Sequence, residues 1–240
     1  MKKILLLLSI IGLSCKIQAQ TAELFFEQTS EFMKKNVSLD GKIDYASLKK
    51  SPGELIYILG NISKISSQFG DKNKAKAFWI NVYNLQVIKG VIDKYPMASV
   101  NNQQGFFNET SFMIANQELT LDDVENTILR EIFLDPCIHF VLASGANGGA
   151  TLLNEAYMPD KVNEQLKQQS KNFLNNEKFV KIDKKNKTVE LPKIFEWYKD
   201  DFVTYYRNEI DFLNIFLDKK LDNTLKVKIY DFDWTLNKKN

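Results

Sequence analysis

The residues of this sequence that could carry out catalysis lie around a single histidine. His139 is the only histidine in the chain, so any Ser/His or Cys/His pair must use it. Ser144 follows it by five residues, and Cys137 precedes it by two. A nucleophilic hydrolase needs its hydroxyl or thiol within about 2.6–3.2 Å of the base that takes its proton. The first hypothesis is therefore a hydrolase with His139 as base and Ser144 as nucleophile.

The predicted local structure argues against that pairing. The run from Cys137 to Ala143 is apolar and typical of a buried strand. Five residues of extended strand would place Ser144 about 16 Å from His139 and on the opposite face. Only a sharp reversal at Ala143 would bring the two together. Cys137 shares a face with His139, but a small cysteine at the entrance of a strand is commonly part of the core.

A second group of candidates lies on a predicted helix. Asn81 and Asn84 are three residues apart and so share one helix face. From Ala77 to Ile88 the sequence has no charge, glycine or proline, and apolar residues surround the helical wheel, as in a buried helix. A buried amide without partners costs about 1–3 kcal/mol, so both side chains need specific partners.

These partners can be interpreted in two ways. In the first interpretation, Asn81 and Asn84 bind a ligand opposite His139, which is a weak base but a good binding group if amides rather than a carboxylate surround it. In the second, the amides hold backbone groups of adjacent loops, and His139 satisfies an acceptor in the core. Trp79 is a further candidate ligand contact, although core packing is the commoner role for such a residue. Asn154 is also a candidate ligand-binding residue.

Composition indicates one globular domain. The chain has 240 residues, of which 44% are hydrophobic, and a net charge of +2 at pH 7, so a sizeable core is expected and nucleic-acid binding is not. One histidine and two cysteines give no zinc spacing. Asp122, Asp123 and Glu125 suit the first turn of a helix, and Asp231 with Asp233 is too small a group for calcium. We predict no metal and no cofactor.

The N-terminus predicts export. Met1–Lys3 and the apolar run Ile4–Leu13 are typical of a signal peptide, residues 1–19, cleaved after Ala19. The run is too short for a stable membrane span, so a periplasmic or secreted protein without a transmembrane span is expected after its removal. A lipid anchor through Cys15 is the alternative, although Gly12–Ser14 matches a lipidation site poorly. Cys137 would then have no intrachain disulfide partner.

The elements that must position the candidate residues are mostly helices. We expect residues 20–240 to form a single helix-rich α+β domain, in which a buried central helix packs on a small mixed or antiparallel sheet. Predicted helices are 21–35, 53–62, 71–94, 120–133, 159–173, 192–202 and 209–217, and predicted strands are 111–114, 118–119, 137–143, 179–182, 188–191 and 225–230.

Several segments resemble the domain-of-unknown-function family numbered 547, and they occur in the family's order. They are 77–84, 121–130, 135–142, 154–157, 193–202 and a divergent ending at 230–237. The resemblance implies a domain that is widespread in bacteria, plants and animals and has no secure general activity. The bacterial family pattern has two cysteines after the His-Phe segment, where this chain has Ser144 and Gly149. Thiol chemistry or a Cys–Cys link therefore does not carry over.

Three functions remain open. The leading hypothesis is binding of a small molecule or a protein in a polar pocket between the Asn81/Asn84 helix and the His139 strand. The alternative is a hydrolase or transferase with a papain-like catalytic arrangement, which is either degenerate or uses Ser144 in place of the family cysteine. The third is a purely structural envelope protein, in which all of these polar groups are satisfied internally.

Overall fold

The computed structural model describes residues 21–65, 69–114 and 117–239. The predicted signal peptide, residues 1–19, and the lipidation candidate Cys15 lie outside these ranges. None of the helices in the described ranges combines the length and the apolarity needed to cross a membrane.

The predicted central helix is α4, which spans Lys72–Lys94. The Asp71 side chain caps it by accepting hydrogen bonds from the backbone N–H groups of Asn73 and Lys74. The helix ends at Tyr95, which is extended, as expected of a residue before proline. From residue 77 to 88 every side chain except Gln86 is buried, so the prediction of a buried helix is confirmed.

Other helices surround α4 and share its core. Helix α1 covers 21–36, and its Phe25 ring lies 5.2 Å from the Phe78 ring of α4. The next elements are α2 (Tyr45–Lys50), α3 (Gly53–Ile62), a 3-10 helix (Val100–Asn102), a π-helical segment (Asp123–Arg130) with α5 (Glu131–Phe133), a 3-10 helix (Pro136–Phe140) and α6 (Val162–Leu174). We call the apolar cluster around α4 the first core.

Two small sheets complete the α+β architecture. Strands β1 (Ser111–Ile114) and β2 (Gln117–Thr120) form an antiparallel hairpin, and Ile114 is buried in the first core beside α4. Strand β4 (Thr188–Pro192) pairs antiparallel with β3 (Lys181–Asp183) and parallel with β5 (Lys226–Tyr230). The prediction of a helix-rich α+β domain is confirmed.

A second core lies beside the three-stranded sheet. Three short helices contribute to it, namely α7 (Ile194–Trp197), α8 (Lys199–Val203) and α9 (Glu209–Phe216). Its members are mainly aromatic and aliphatic residues of the C-terminal half: Phe140, Phe173, Leu174, Phe179, Val180, Val189, Leu191, Ile194, Phe195, Phe202, Ile210, Phe212, Leu213 and Leu217.

The predicted strand at 137–143 is wrong. Residues 137–140 belong to a 3-10 helix with Pro136 in its first turn, residues 141–143 are irregular, and the Asp135 side chain accepts a hydrogen bond from the Cys137 N–H. Asp–Pro is a favourable helix start, and a short apolar run alone cannot distinguish a strand from a buried helical turn. The estimate of about 16 Å between Ser144 and His139 assumed an extended chain, so it no longer applies.

The helix predicted to begin at residue 120 does start there, with Thr120 as its cap. The Thr120 hydroxyl accepts a hydrogen bond from the Asp123 N–H, and the Asp123 carboxylate accepts one from the Thr120 N–H. This reciprocal pair is a capping box. It fixes the start of the π-helical segment, which carries Glu125 and Arg130 towards His139.

Candidate functional site

Asn81 and Asn84 of α4 bind backbone groups through both the NH2 group and the oxygen of their side-chain amides. Asn81 donates to the Tyr157 carbonyl at 2.8 Å and accepts from the Tyr157 N–H at 2.9 Å. Asn84 donates to the Val141 carbonyl at 3.0 Å and accepts from the Ala143 N–H at 2.9 Å. Both side chains are buried. The amides therefore tie both ends of the segment 141–157 to α4, as the second interpretation expects, and their contact with a ligand stays a prediction.

His139 lies in a setting that the sequence did not predict. It is 3% exposed, and its Nε2 lies 2.7 Å from a carboxylate oxygen of Asp201. Asp201 also accepts two hydrogen bonds from the Arg130 guanidinium, at 2.7 and 3.0 Å. The expectation of a histidine surrounded by amides is thus wrong. The His139 ring stacks on Tyr198, with centroids 4.0 Å apart.

The charge of Asp201 determines which nitrogen of a neutral His139 carries the proton. Burial alone would raise the pKa of Asp201, but the hydrogen bonds from His139 and Arg130 outweigh it and hold that pKa well below its usual value. Because an ionised Asp201 only accepts hydrogen bonds, Nε2 carries the proton and Nδ1 keeps a free lone pair. Among the described residues Nδ1 has no hydrogen-bond partner.

Glu125 lies on the open side of the histidine. One of its oxygens is 3.9 Å from His139 Nδ1, and the other accepts a hydrogen bond from the Tyr83 hydroxyl at 3.0 Å. Burial first, and then the negative charge of Glu125, raise the pKa of Tyr83 well above its usual value. The same two causes raise the pKa of Tyr198. Both phenols therefore stay protonated at neutral pH.

These groups border a cavity of about 250 Å³, which we call the His139 cavity. Ser144 lines it, and its Oγ is buried without a hydrogen-bond partner among the described residues. Since His139 Nδ1 also has none, the two atoms share a cavity but do not bond to each other. The remaining lining residues are mostly aromatic or aliphatic: Phe107, Leu142, Ile194, Trp197, Phe232 and Trp234, with Gly149 and Asp122.

The other candidates lie elsewhere. Trp79 is buried in the first core, 5.2 Å from the Phe78 ring. Burial raises the pKa of the Cys137 thiol to about 12, so a Cys137 thiolate would be scarce at neutral pH. Asn154 lines a separate cavity of about 480 Å³ that also contains Lys42 and Lys178. Within the described ranges, no three His, Cys, Asp or Glu side chains converge as metal ligands would.

Sequence reasoning missed the residues that define the site. Glu125 was assigned to helix capping, and Asp201, Arg130 and Tyr198 were given no role. All four stand in segments that carry the family resemblance, and this was the available signal. Their convergence on His139 depends on contacts between distant elements, such as the 62 positions between His139 and Asp201, which no local pattern encodes.

Fold and site together define a helix-rich α+β domain with a carboxylate-held histidine beside an aromatic cavity. Residues 67–174 match the family described as "Protein of unknown function, DUF547", which confirms the predicted resemblance over that segment. The matched segment includes Glu125, His139 and Ser144, whereas Tyr198 and Asp201 lie beyond it. Neither a search of the curated proteins nor a search of the solved structures found a match.

Proposed function

We propose that this protein binds a small ligand in the His139 cavity. One observation carries the proposal, namely that His139 lines the cavity and its buried Nδ1 has no hydrogen-bond partner among the described residues. An unsatisfied buried polar atom costs about 1–3 kcal/mol, and a ligand that donates a hydrogen bond to it would recover that cost.

The composition of the cavity supports the proposal. Polar atoms of His139, Ser144 and Glu125 occur among aromatic side chains, and this combination is typical of small-molecule sites. The cavity lies between α4, which contributes Tyr83, and the segment that carries His139. Asn81 and Asn84 do not line this cavity, and their amides bind the backbone of Tyr157, Val141 and Ala143 instead.

A fragment screen by saturation-transfer NMR tests the proposal. Ser144→Leu fills part of the cavity and removes no hydrogen bond, because the Ser144 hydroxyl has none among the described residues. Thr151→Leu is the matched control, since Thr151 is exposed and borders the other cavity. Fragments that bind the wild type should bind Thr151→Leu and fail to bind Ser144→Leu. A screen without binders, or binders that Ser144→Leu retains, would contradict the proposal and favour a purely structural protein.

A second candidate function is hydrolysis with Ser144 as nucleophile. Two unpartnered atoms, Ser144 Oγ and His139 Nδ1, line one cavity, and Asp201 holds the other nitrogen of the histidine. An acid that orients a base is the arrangement that activates a nucleophile. The missing Ser144–His139 bond requires the two side chains to approach when a substrate binds.

A fluorophosphonate probe with mass spectrometry distinguishes the two candidates. A hydrolase should give a covalent adduct at Ser144 that is lost in both Ser144→Ala and His139→Phe. No adduct in the wild type, or an adduct that persists in His139→Phe, would eliminate Ser144 as a histidine-activated nucleophile and leave the binding proposal intact.

We also propose that the protein is exported, on the pattern of residues 1–19. Mass spectrometry of the mature N-terminus tests this proposal. A start at Gln20 supports cleavage after Ala19, a lipid on Cys15 supports the anchored alternative, and an intact Met1 overturns both.

A further inference from the structure

The charges around the His139 cavity indicate which ligand would fit. We infer, on the basis of the proposed function, that the ligand is an organic cation, namely a protonated primary amine attached to a flat apolar body. Four features of the cavity support this inference: a carboxylate that no lysine or arginine pairs with directly, a second acidic side chain at its edge, three hydrogen-bond acceptors and aromatic walls.

The carboxylate without a direct lysine or arginine partner is that of Glu125. Its side chain is 14% exposed, yet among the described residues it forms no ion pair with a lysine or arginine. The nearby Arg130 guanidinium instead binds Asp201 with two hydrogen bonds. Glu125 accepts a hydrogen bond from the Tyr83 hydroxyl at 3.0 Å and lies 3.9 Å from His139 Nδ1. A partly buried, unpaired charge is costly, and a ligand cation would compensate it.

The lining of the cavity as a whole also carries negative charge. It contains two carboxylates, Glu125 and Asp122, and no lysine or arginine. Asp122 is exposed, and its carboxylate accepts a hydrogen bond from the Asn126 amide. An anionic ligand would be repelled by both carboxylates, and a neutral one would give Glu125 no cationic partner. A cation is the charge state that the site favours.

Three acceptors match the three N–H donors of a primary ammonium group. They are His139 Nδ1, Ser144 Oγ and the Glu125 oxygen that faces the histidine. The first and third are 3.9 Å apart, so one nitrogen atom can lie about 2.8–2.9 Å from both. A quaternary ammonium could offer none of these hydrogen bonds, and for this reason the primary amine is the better fit.

Aromatic rings provide the contact for the body of the ligand. Phe232 lies 4.5 Å from Trp234 and 5.2 Å from Trp197, measured between ring centroids. All three rings line the cavity, and Trp197 is 44% exposed. Ring faces of this kind attract both a flat apolar group and a neighbouring positive charge.

A charge series of one shape tests the inference: benzylammonium, benzyl alcohol and benzoate, titrated at pH 7 and low salt. The indole N–H signals of Trp197 and Trp234 report binding by NMR. We expect benzylammonium to bind at least about tenfold more tightly than benzyl alcohol, a difference of about 1.4 kcal/mol, and benzoate not to bind. Equal or tighter binding of benzyl alcohol, or no binding of benzylammonium, overturns the cation inference. Neither result decides the proposed function, which depends on the fragment screen.

Two variants connect the preference to the named charges. Glu125→Gln keeps the shape and an acceptor for Tyr83, and it should reduce the benzylammonium preference to about twofold or less. Asp122→Asn changes an exposed position and should weaken benzylammonium binding about two- to threefold without risk to the fold. Glu131→Gln is the matched control, because Glu131 is exposed on α5 and outside the lining. If Glu125→Gln retains a tenfold preference for benzylammonium over benzyl alcohol, the proposed role of the Glu125 carboxylate is wrong.

Discussion

At the scale of single residues, the buried polar side chains of this protein have two different roles. Asn81 and Asn84 satisfy backbone groups and are themselves satisfied, so they act as supports. His139 and Ser144 each keep one buried atom without a protein partner, so they are available to a ligand. A buried polar atom normally has a hydrogen-bond partner, and one without a partner points to a function or to a missing partner molecule.

The role of Asn81 as a support can be measured. Asn81→Leu should lower the free energy of unfolding by about 1–3 kcal/mol, because the N–H and the carbonyl of Tyr157 lose their buried partner. Urea unfolding followed by circular dichroism gives the value. Gln86→Leu on the same helix is the control, since Gln86 is the half-exposed exception within the buried stretch. An unchanged midpoint in Asn81→Leu would argue against this support.

The lowered pKa of Asp201 makes stability depend on pH with a definite sign. A carboxyl whose pKa is lower in the folded state stabilises that state above its unfolded pKa, about 4, and this contribution is lost as the pH falls towards the folded value. Asp201→Asn should therefore be less stable than the wild type near pH 6, with a difference that shrinks between about pH 5 and pH 2.

Urea unfolding at several pH values between 2 and 6 tests this dependence. Asp200→Asn is the neighbouring control, because Asp200 is exposed and forms no ion pair among the described residues. If the two variants show the same pH profile as the wild type, Asp201 does not contribute through its charge.

At the scale of elements, sequence patterns predicted those that local rules define. The helix starts at residues 71 and 120 and the uncharged stretch of α4 were predicted, because each depends on residues within a few positions. The segment 137–143 was not, since an apolar run of seven residues fits a strand or a helical turn equally well. Greater weight on Asp135–Pro136 as a helix start would have favoured the observed 3-10 helix.

The loop after this 3-10 helix places two positions of the family pattern side by side. A Cβ atom built on Gly149 would lie 3.7 Å from the Ser144 Cβ, close to the mean separation of about 3.8 Å in disulfides. It would also lie 2.8 Å from the Ser144 hydroxyl, too close for an unbonded pair. The space therefore suits a glycine facing a serine, or two bonded cysteines.

The double variant Ser144→Cys with Gly149→Cys tests this proximity. It should form a disulfide on oxidation and gain about 2 kcal/mol of stability over its reduced form, the size expected for a loop of six residues. Mass spectrometry after thiol alkylation counts the bonded cysteines, and thermal melts with and without reductant give the stability. Single Ser144→Cys is the control and should be insensitive to reductant. Free thiols at both substituted positions, 144 and 149, after oxidation would refute the predicted geometry.

At the scale of the whole molecule, the site lies where the two cores meet. The 3-10 helix Pro136–Phe140 places Ile138 in the first core and Phe140 in the second, with His139 between them. Glu125 approaches the histidine from the π-helical segment, and Asp201 from α8. The site therefore depends on both halves of the chain, and sequence analysis, which assigned elements one by one, could not place it.

The coupling of the two cores through this short helix predicts one unfolding transition. The Phe140 ring packs against Phe173, Phe195 and Phe202 with centroids 5.0–6.2 Å apart. Phe140→Ala should therefore lower the free energy of unfolding by about 3–5 kcal/mol. Because Ile138 and Val141 belong to the first core, the loss should destabilise the whole chain and not only its C-terminal half.

Differential scanning calorimetry of the wild type and Phe140→Ala measures both effects. Equal calorimetric and van't Hoff enthalpies in each protein would indicate a single cooperative unit. Phe216→Ala is the control. Because Phe216 is only partly buried at the end of α9, this substitution should lower the free energy of unfolding by less. If Phe140→Ala instead melts in two steps, the second core unfolds on its own. The carboxylate that holds His139 would then be lost before the first core melts, and ligand binding would disappear at the first step.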